Sequence, residues 1–270
     1  MGILYDFHLH SAFSGDSETP SVDMLLRARA LGLRGICFTE HLDLDAPYDD
    51  PDFSLDFSAY FSGISALKEQ YSSSIQIGIG MEFGIQPHLP DTLTELNQTF
   101  SFDFIIASQH FVRGMDPYYP DFFEGRPERE CYEEFFRAEY DTLLRFSPQD
   151  YDTLGHMDYV VRYGPNRNHD YSYQKYADCI DPILRFLIDH GKCLELNTGG
   201  FKYGLGEPNP CADVFRRYQE LGGELVTIGS DAHAPDQIAY SFDKAAQLLD
   251  ALGFRYYTVF EQRKGRQVRL

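Results

Sequence analysis

Tyr5-Asp6-Phe7-His8-Leu9-His10 opens an alternation of strand and helix that continues to the end of the chain. The apolar run 3–9 reads as a strand. A helix follows, opened by Pro20-Ser21, with Met24, Ala28 and Leu31 at its apolar positions and Gly32 as its stop. Residues 35–39 then read as a second strand. A strand, a helix and another strand at this spacing form a unit whose strands run parallel.

The same rhythm repeats outward. Phe57, Tyr60, Phe61, Ile64, Leu67 and Tyr71 fall at helical spacing. Strands are expected over 75–81 and 102–107, a helix near 129–146, and a short strand at 153–155. The helix expected over 173–190 presents Ala177, Ile180, Leu184 and Leu187 on one face and stops at Gly191. Strands at 193–196 and 225–228 flank a helix at 212–221. A last helix, 243–252, leads to 256–260, an eighth strand or an edge. Seven or so such units in 270 residues suit a (β/α) barrel of the α/β class better than an open sheet. Segments 43–56 and 113–127 read as long βα loops. No linker or internal repeat divides the chain, so residues 1–270 are expected to form a single domain.

Bulk properties narrow the function. A net charge of −19 repels nucleic-acid phosphates and anionic membranes, so neither is an expected partner. The five cysteines are scattered without a C-x-x-C pair, which favours reduced thiols in the cytoplasm over a disulfide framework. No signal-like segment opens the chain, and no apolar run reaches membrane-spanning length. Oligomeric state is not legible.

The chemistry gathers at strand ends. Alternate residues of a strand point to one face, so His8 and His10 project together, their Cα atoms about 7 Å apart. Glu40-His41, Glu82, Gln109-His110, His156, Asn197, and Asp231 with His233 each follow a different strand, and Asp16 lies in the loop after the first pair. A single strand-end His is ordinarily structural or solvated. Five strands ending in His, Glu or Asp at the rim where barrels place their active sites point instead to divalent metal ions. Nine such ligands exceed the needs of one ion, so two or three are implied. A carboxylate such as Glu82 can bridge two ions where an imidazole cannot. Hydroxide between two ions is a natural nucleophile, because metal binding lowers the pKa of water toward 7.

Taken together, D-F-H-L-H at 6–10, T-E-H at 39–41, Glu82 in G-M-E-F-G, S-Q-H at 108–110 and S-D-A-H at 230–233 resemble the motifs of the PHP (polymerase and histidinol phosphatase) family. G-H-M-D-Y-V-V-R-Y-G at 155–164 and L-N-T-G-G at 196–200, with G-E-P-N-P after it, resemble its histidinol-phosphatase branch. The resemblance implies a distorted (β/α)7 TIM-like barrel, the PHP fold, with three divalent ions of zinc, manganese or iron. It places His8, His10, Glu82 and Asp231 on one ion, and Glu82, His110 and His156 on a second. Asp16, His41 and His233 would hold the third. Asp6 would orient a ligand imidazole.

The implied activity is hydrolysis of a small phosphate monoester, L-histidinol phosphate, with Glu82, Asp231 and Arg162 as catalytic residues. Arg162 would grip the phosphate, since a guanidinium fork matches its oxygens. Lys202 stands where the branch commonly carries Arg and would bind phosphate as a point charge. Asn197 would either touch substrate or satisfy a loop backbone. Asp43, Asp45 and Glu207 are candidates for the cationic groups of the substrate. The alternatives are a PHP phosphatase for a nucleotide, sugar phosphate or phosphotyrosine, a non-catalytic metal-binding module, and an amide hydrolase. The last would usually need a carboxylated Lys where Glu82 stands.

Overall fold

The computed structural model describes residues 2–47 and 52–270. The elements run β1 (Tyr5–Leu9), α1 (Ser21–Ala30), β2 (Gly35–Phe38), β3 (His41–Leu42), α2 (Phe57–Tyr71), β4 (Gln76–Gly84), α3 (Pro90–Thr99), β5 (Phe104–Ser108), α4 (Glu128–Leu143), β6 (Thr153–Leu154), α5 (Tyr173–Asp189), β7 (Cys193–Asn197), α6 (Gly199–Lys202), α7 (Ala212–Glu220), β8 (Val226–Gly229), α8 (Phe242–Ala251), β9 (Tyr256–Glu261) and β10 (Lys264–Arg269). Parallel pairing in the order β1-β2-β4-β5-β6-β7-β8 wraps seven strands into a nearly closed barrel. Helices pack outside it, as the expected (β/α)7 architecture requires. Every residue of β1, β2, β5, β7 and β8 is buried, because a parallel sheet is covered on both faces.

Closure between β1 and β8 occurs at the C-terminal rim. Asp231 N donates to His8 O at 2.8 Å, and His10 N donates to Ala232 O at 2.8 Å. Asp6 reinforces this seam. Its carboxylate accepts from Ser230 N at 2.9 Å, Ser230 Oγ at 2.5 Å and Ala239 N at 3.0 Å. Asp6 therefore clasps two strand ends and touches no imidazole, contrary to the role expected for it. The β1–β2 register is irregular between Asp6 and Leu9, and the Asp6 oxygens are taken up by Ser230 and Ala239 instead.

The C-terminal segment is not an eighth barrel strand. β9 pairs antiparallel with β10, and the hairpin seals the opposite end of the barrel. The Phe260 ring lies 5.0 Å from that of Phe104, and Leu4 N donates to Tyr257 Oη at 3.1 Å. Gln262 N donates to Asp103 at 3.0 Å, and Arg263 Nε pairs with Asp152 at 2.5 Å. Two further elements differ from expectation. β4 runs two residues past Glu82, which therefore sits inside a strand rather than after it. α3 lacks a legible apolar stripe because Leu93 is its one fully buried side chain. Of the loop expected over 43–56, residues 48–51 lie outside the described residues.

Tight strand contact at the seam requires Gly229. A Cβ there would lie 2.1 Å from His8 Cβ and 2.7 Å from Glu195 Oε1. Gly229→Ala should therefore destabilise the fold by about 1–3 kcal/mol, the usual range for overpacking a filled interior. Urea unfolding measures this, and an unchanged midpoint would contradict the close seam.

Candidate metal centre

The centre is built around Glu82, which is fully buried in the long strand β4. Its carboxylate meets His8 Nε2 at 3.0 Å, His156 Nε2 at 2.8 Å, His41 Nδ1 at 3.2 Å, and His10 Nε2 and His110 Nε2 at 3.4 Å. Five imidazoles from four separate segments thus converge on one side chain. Asp231 approaches from the far side, with Oδ1 3.8 Å from His8 Nε2 and 3.7 Å from His10 Nε2. It adopts φ +55°, a left-handed conformation that Asp tolerates better than most residues. Asp16 Oδ2 lies 3.1 Å from His233 Nε2 and 3.6 Å from His41 Nε2. The His10 ring stacks against those of both His41 and His233, 4.2 Å from each.

These contacts form overlapping groups of donors, each compact enough for one ion. His8, His10 and Glu82 make one, Glu82, His110 and His156 another, and His10, His41 and His233 a third. His8, His156 and Asp231 also converge, as do His41, Asp43 and His110. All nine residues singled out as ligands in the sequence meet at this rim.

Side chains behind the ligands fix their rings. Glu195 Oε1 takes His8 Nδ1 at 2.6 Å, Asp43 Oδ1 takes His110 Nδ1 at 2.7 Å, and Ser14 Oγ lies 3.1 Å from His10 Nδ1. Such outer partners set the tautomer and basicity of a ligating imidazole. Glu195 went unremarked in the sequence. Its signal was a charge between two leucines in a fully buried strand, where only a paired carboxylate is tolerated. Glu40 serves the loop instead, accepting from Ser11 N, Ser11 Oγ and Ser14 Oγ. Gln109 is buried and donates to Phe111 O.

Above the cluster opens a cavity of about 770 Å³. Arg162, Lys202, Asp16, Asp43, Asp116, Asp231 and a wall of aromatic rings line it. Arg162 is buried, with Nη1 on Asp231 Oδ2 at 2.9 Å, Nε on Asn209 Oδ1 at 2.8 Å and Nη2 on Asn197 Oδ1 at 3.0 Å. Asn209 is held in turn by Asp158. Lys202 Nζ reaches Asp231 O at 2.8 Å and Gln237 Oε1 at 2.9 Å. Asn197 does not line the cavity. Its amide oxygen accepts from Arg162 and Gly199 N, and its amide nitrogen faces Glu195 and Asp231. It holds the guanidinium in place from behind.

The residues suggested for substrate cations are otherwise engaged. Asp43 is pinned between His110 and His41, Asp45 pairs with exposed His88, and Glu207 accepts from Ala212 N at 3.0 Å. Asp116, Tyr118 and Tyr119, in the loop after β5, carried no sequence motif.

Crowding sets the electrostatics. Burial alone would push the Glu82 carboxyl up, but His8 and His41 hold it well below the usual range. Burial opposes charge on His8, yet Glu195, Glu82 and Asp231 raise it well above an ordinary imidazole. His41 is raised to about 9, with Glu82 and Asp16 outweighing burial. His10 goes the other way. Burial, with His41 and His233 beside it, drives it well below the normal value, leaving a neutral ring with a lone pair to share. His10 Nε2 and His41 Nδ1 are buried without a hydrogen-bond partner. Orphaned ring nitrogens beside carboxylates fit divalent cations, which satisfy both at once.

The sequence profile of the PHP domain matches residues 6–199. The chain is 34% identical over 260 residues to the histidinol-phosphatase of Lactococcus lactis, covering 96% of this chain and 95% of that one. A probable histidinol-phosphatase of Clostridium acetobutylicum is 31% identical over 252 residues, covering 92% and 93%. The crystal structure of histidinol phosphate phosphatase from L. lactis, complexed with zinc, L-histidinol and phosphate, matches with a TM-score of 0.89 at 33% identity. That match covers 97% of this chain and 98% of the other.

Protons and metal should compete for the cluster. Neighbouring carboxylates shift His8, His41 and His110 upward, His41 to about 9, so without metal the cluster holds protons more tightly than free imidazoles do. Zinc added to the metal-free protein should therefore release protons, and its apparent affinity should climb as pH rises through about 9, where His41 gives up its proton unaided. Calorimetry in two buffers of different ionisation enthalpy counts the protons, and a count of zero would refute a protonated cluster.

Proposed function

We propose, from the premise that the chain belongs to the PHP family, that its rim site hydrolyses L-histidinol phosphate to L-histidinol and phosphate. The carrying observation is the placement of two cations, Arg162 and Lys202, in a cavity whose floor is a cage of imidazoles and carboxylates. Hydrolysis of a phosphate monoester is served by this combination: positive charge for its oxygens, and a donor set that would hold metal ions able to activate the attacking water.

In this reading His8, His10, Glu82 and Asp231 hold one ion. Glu82, His110 and His156 hold a second, and Asp16, His41 and His233 a third, all zinc, manganese or iron. When bound, the metals activate water and neutralise charge on the phosphate oxygens. The protein supplies the rest. Arg162 presents its fork to the phosphate, braced by Asn209 on one side and Asn197 on the other. Lys202 adds a point charge, and the Arg162 guanidinium lies over the Tyr203 ring at 4.8 Å, which limits its swing. Asp231 spans both parts, one oxygen on Arg162 and the other toward the histidines.

Residues 1–270 work as one domain, because the C-terminal hairpin seals the barrel on which the rim is built. The substrate is a small molecule rather than a nucleic acid, in keeping with the −19 net charge. No helix among the described residues is long and apolar enough to cross a membrane. Five free thiols favour the cytoplasm as the working compartment.

Purified, metal-loaded protein should turn over L-histidinol phosphate about a hundredfold more efficiently than nucleoside monophosphates. Comparable kcat/KM values would point to a different small phosphate ester. Arg162→Ala should raise KM by about 10- to 100-fold, the worth of a charged hydrogen bond, while zinc content stays near wild type. A variant that had lost its metal would contradict the phosphate-binding role.

A further inference from the structure

Among the described residues, four carboxylates line the cavity, and three of them are already paired. Asp16 faces His41 and His233, Asp43 holds His110 and His41, and Asp231 holds Arg162. Asp116 differs. Among the described residues, no Lys, Arg or His forms an ion pair with it, although it is only 9% exposed. Its Oδ1 accepts from Tyr118 N at 2.8 Å and from Tyr159 Oη at 3.3 Å. Among the described residues, no hydrogen bond engages Oδ2. A carboxylate that lines the cavity without a cation, where the other described lining carboxylates each have one, marks a place for a cation from outside.

The surroundings say what kind. Tyr118, Tyr119, Tyr159 and Tyr163 stand around Asp116 in the cavity wall. Aromatic faces beside a carboxylate suit a flat or organic cation better than a hydrated metal ion, which would want more oxygen donors. Tyr159 sets the distance to the rest of the site. Its hydroxyl touches Asp116, while its ring lies 5.7 Å from the Arg162 guanidinium and 5.3 Å from the rings of His110 and His156. One small molecule can therefore reach Arg162 with an anionic end and Asp116 with a cationic one.

We infer that Asp116 is the specificity-determining residue of the site: it receives the nitrogen cation of the substrate, ammonium or imidazolium, and so selects phosphate monoesters that carry one. The inference rests on the phosphatase reading above and adds the residue that recognises the other end of the ester. It also accounts for the long loop after β5, whose turn at Asp116–Tyr118 aims the carboxylate inward.

The test compares alkyl phosphates with equally poor leaving groups, so that an effect on recognition separates from one on bond breaking. In Asp116→Asn, the bonds from Tyr118 N and Tyr159 Oη to Oδ1 can persist while the charge is lost. The ratio of kcat/KM for L-histidinol phosphate over glycerol 1-phosphate should fall about tenfold or more, mainly through KM, and inhibition by L-histidinol should weaken in parallel. Asp116→Glu, which keeps the charge, should retain most of the preference. Phosphoethanolamine reports which nitrogen is held: if it loses with histidinol phosphate, the contact is to the ammonium, and if it is spared, to the imidazole. An equal fall for histidinol phosphate and glycerol phosphate, or a ratio within twofold of wild type, overturns the assignment and leaves the phosphatase reading intact. A wild type with no preference between the two esters overturns both.

Discussion

One buried carboxylate organises this molecule. Glu82 lies in the middle of the barrel with no exposure to water, and alone it would be among the most costly groups a fold can bury. Five imidazoles offset that cost by closing on it from β1, the β2–β3 junction and the ends of β5 and β6. Each ring can reach Glu82 only if its strand ends at the right height. The registers deliver this: His41 is paired directly with Glu82 across β3–β4, and Ile106 of β5 is level with both Glu82 and Thr153. The metal cage and the strand register are therefore one constraint seen from two directions.

The two ends of the barrel divide the work. The hairpin β9–β10 fills one mouth with Tyr257 and Phe260 and ties Asp103 and Asp152 through residues 262 and 263. It carries no chemistry-bearing residue. At the other mouth the β1–β8 seam is held by backbone bonds from the segments that supply His8, His10, Asp231 and His233. Barrels commonly separate stability from activity in this way. Here the separation is incomplete, because the seam that closes the barrel is also the floor of the site. Asp6, Gly229 and Glu195 serve both at once.

How legible this was in the sequence depended on periodicity. His8 and His10 were readable because a strand repeats every two residues, and the strand-end positions of His41, His110, His156 and Asp231 followed from the β-α alternation. The motif resemblance then sorted these residues onto ions. What escaped lacked a period. Glu195 sits inside a strand, where burial hides its partner until His8 is placed beside it. Asp6 looked like an outer partner of an imidazole, but its hydrogen bonds run to Ser230 and Ala239, more than two hundred residues away in sequence. α3 fully buries a single leucine, too little for a stripe, and the hairpin strand β10 is almost wholly exposed. Asp116 belongs to a loop, where no repeat constrains side-chain direction and only tertiary placement reveals a role.

A strongly acidic surface sits awkwardly with an anionic substrate, and the layout of charge in the cavity resolves this. Beyond about 8 Å, salt screens the net charge of the surface, so what an incoming ester meets is local. Arg162 and Lys202 face the cavity from the side of the metal cage. Asp116 faces it from the opposite end of the Tyr159 ring. The field across that ring runs from positive to negative over a single aromatic width. A simple dianionic phosphate gains at one end and is repelled at the other, whereas an ester carrying its own cation gains at both. The overall negative charge then ceases to be an obstacle, because the charges that discriminate between esters are those of the cavity itself.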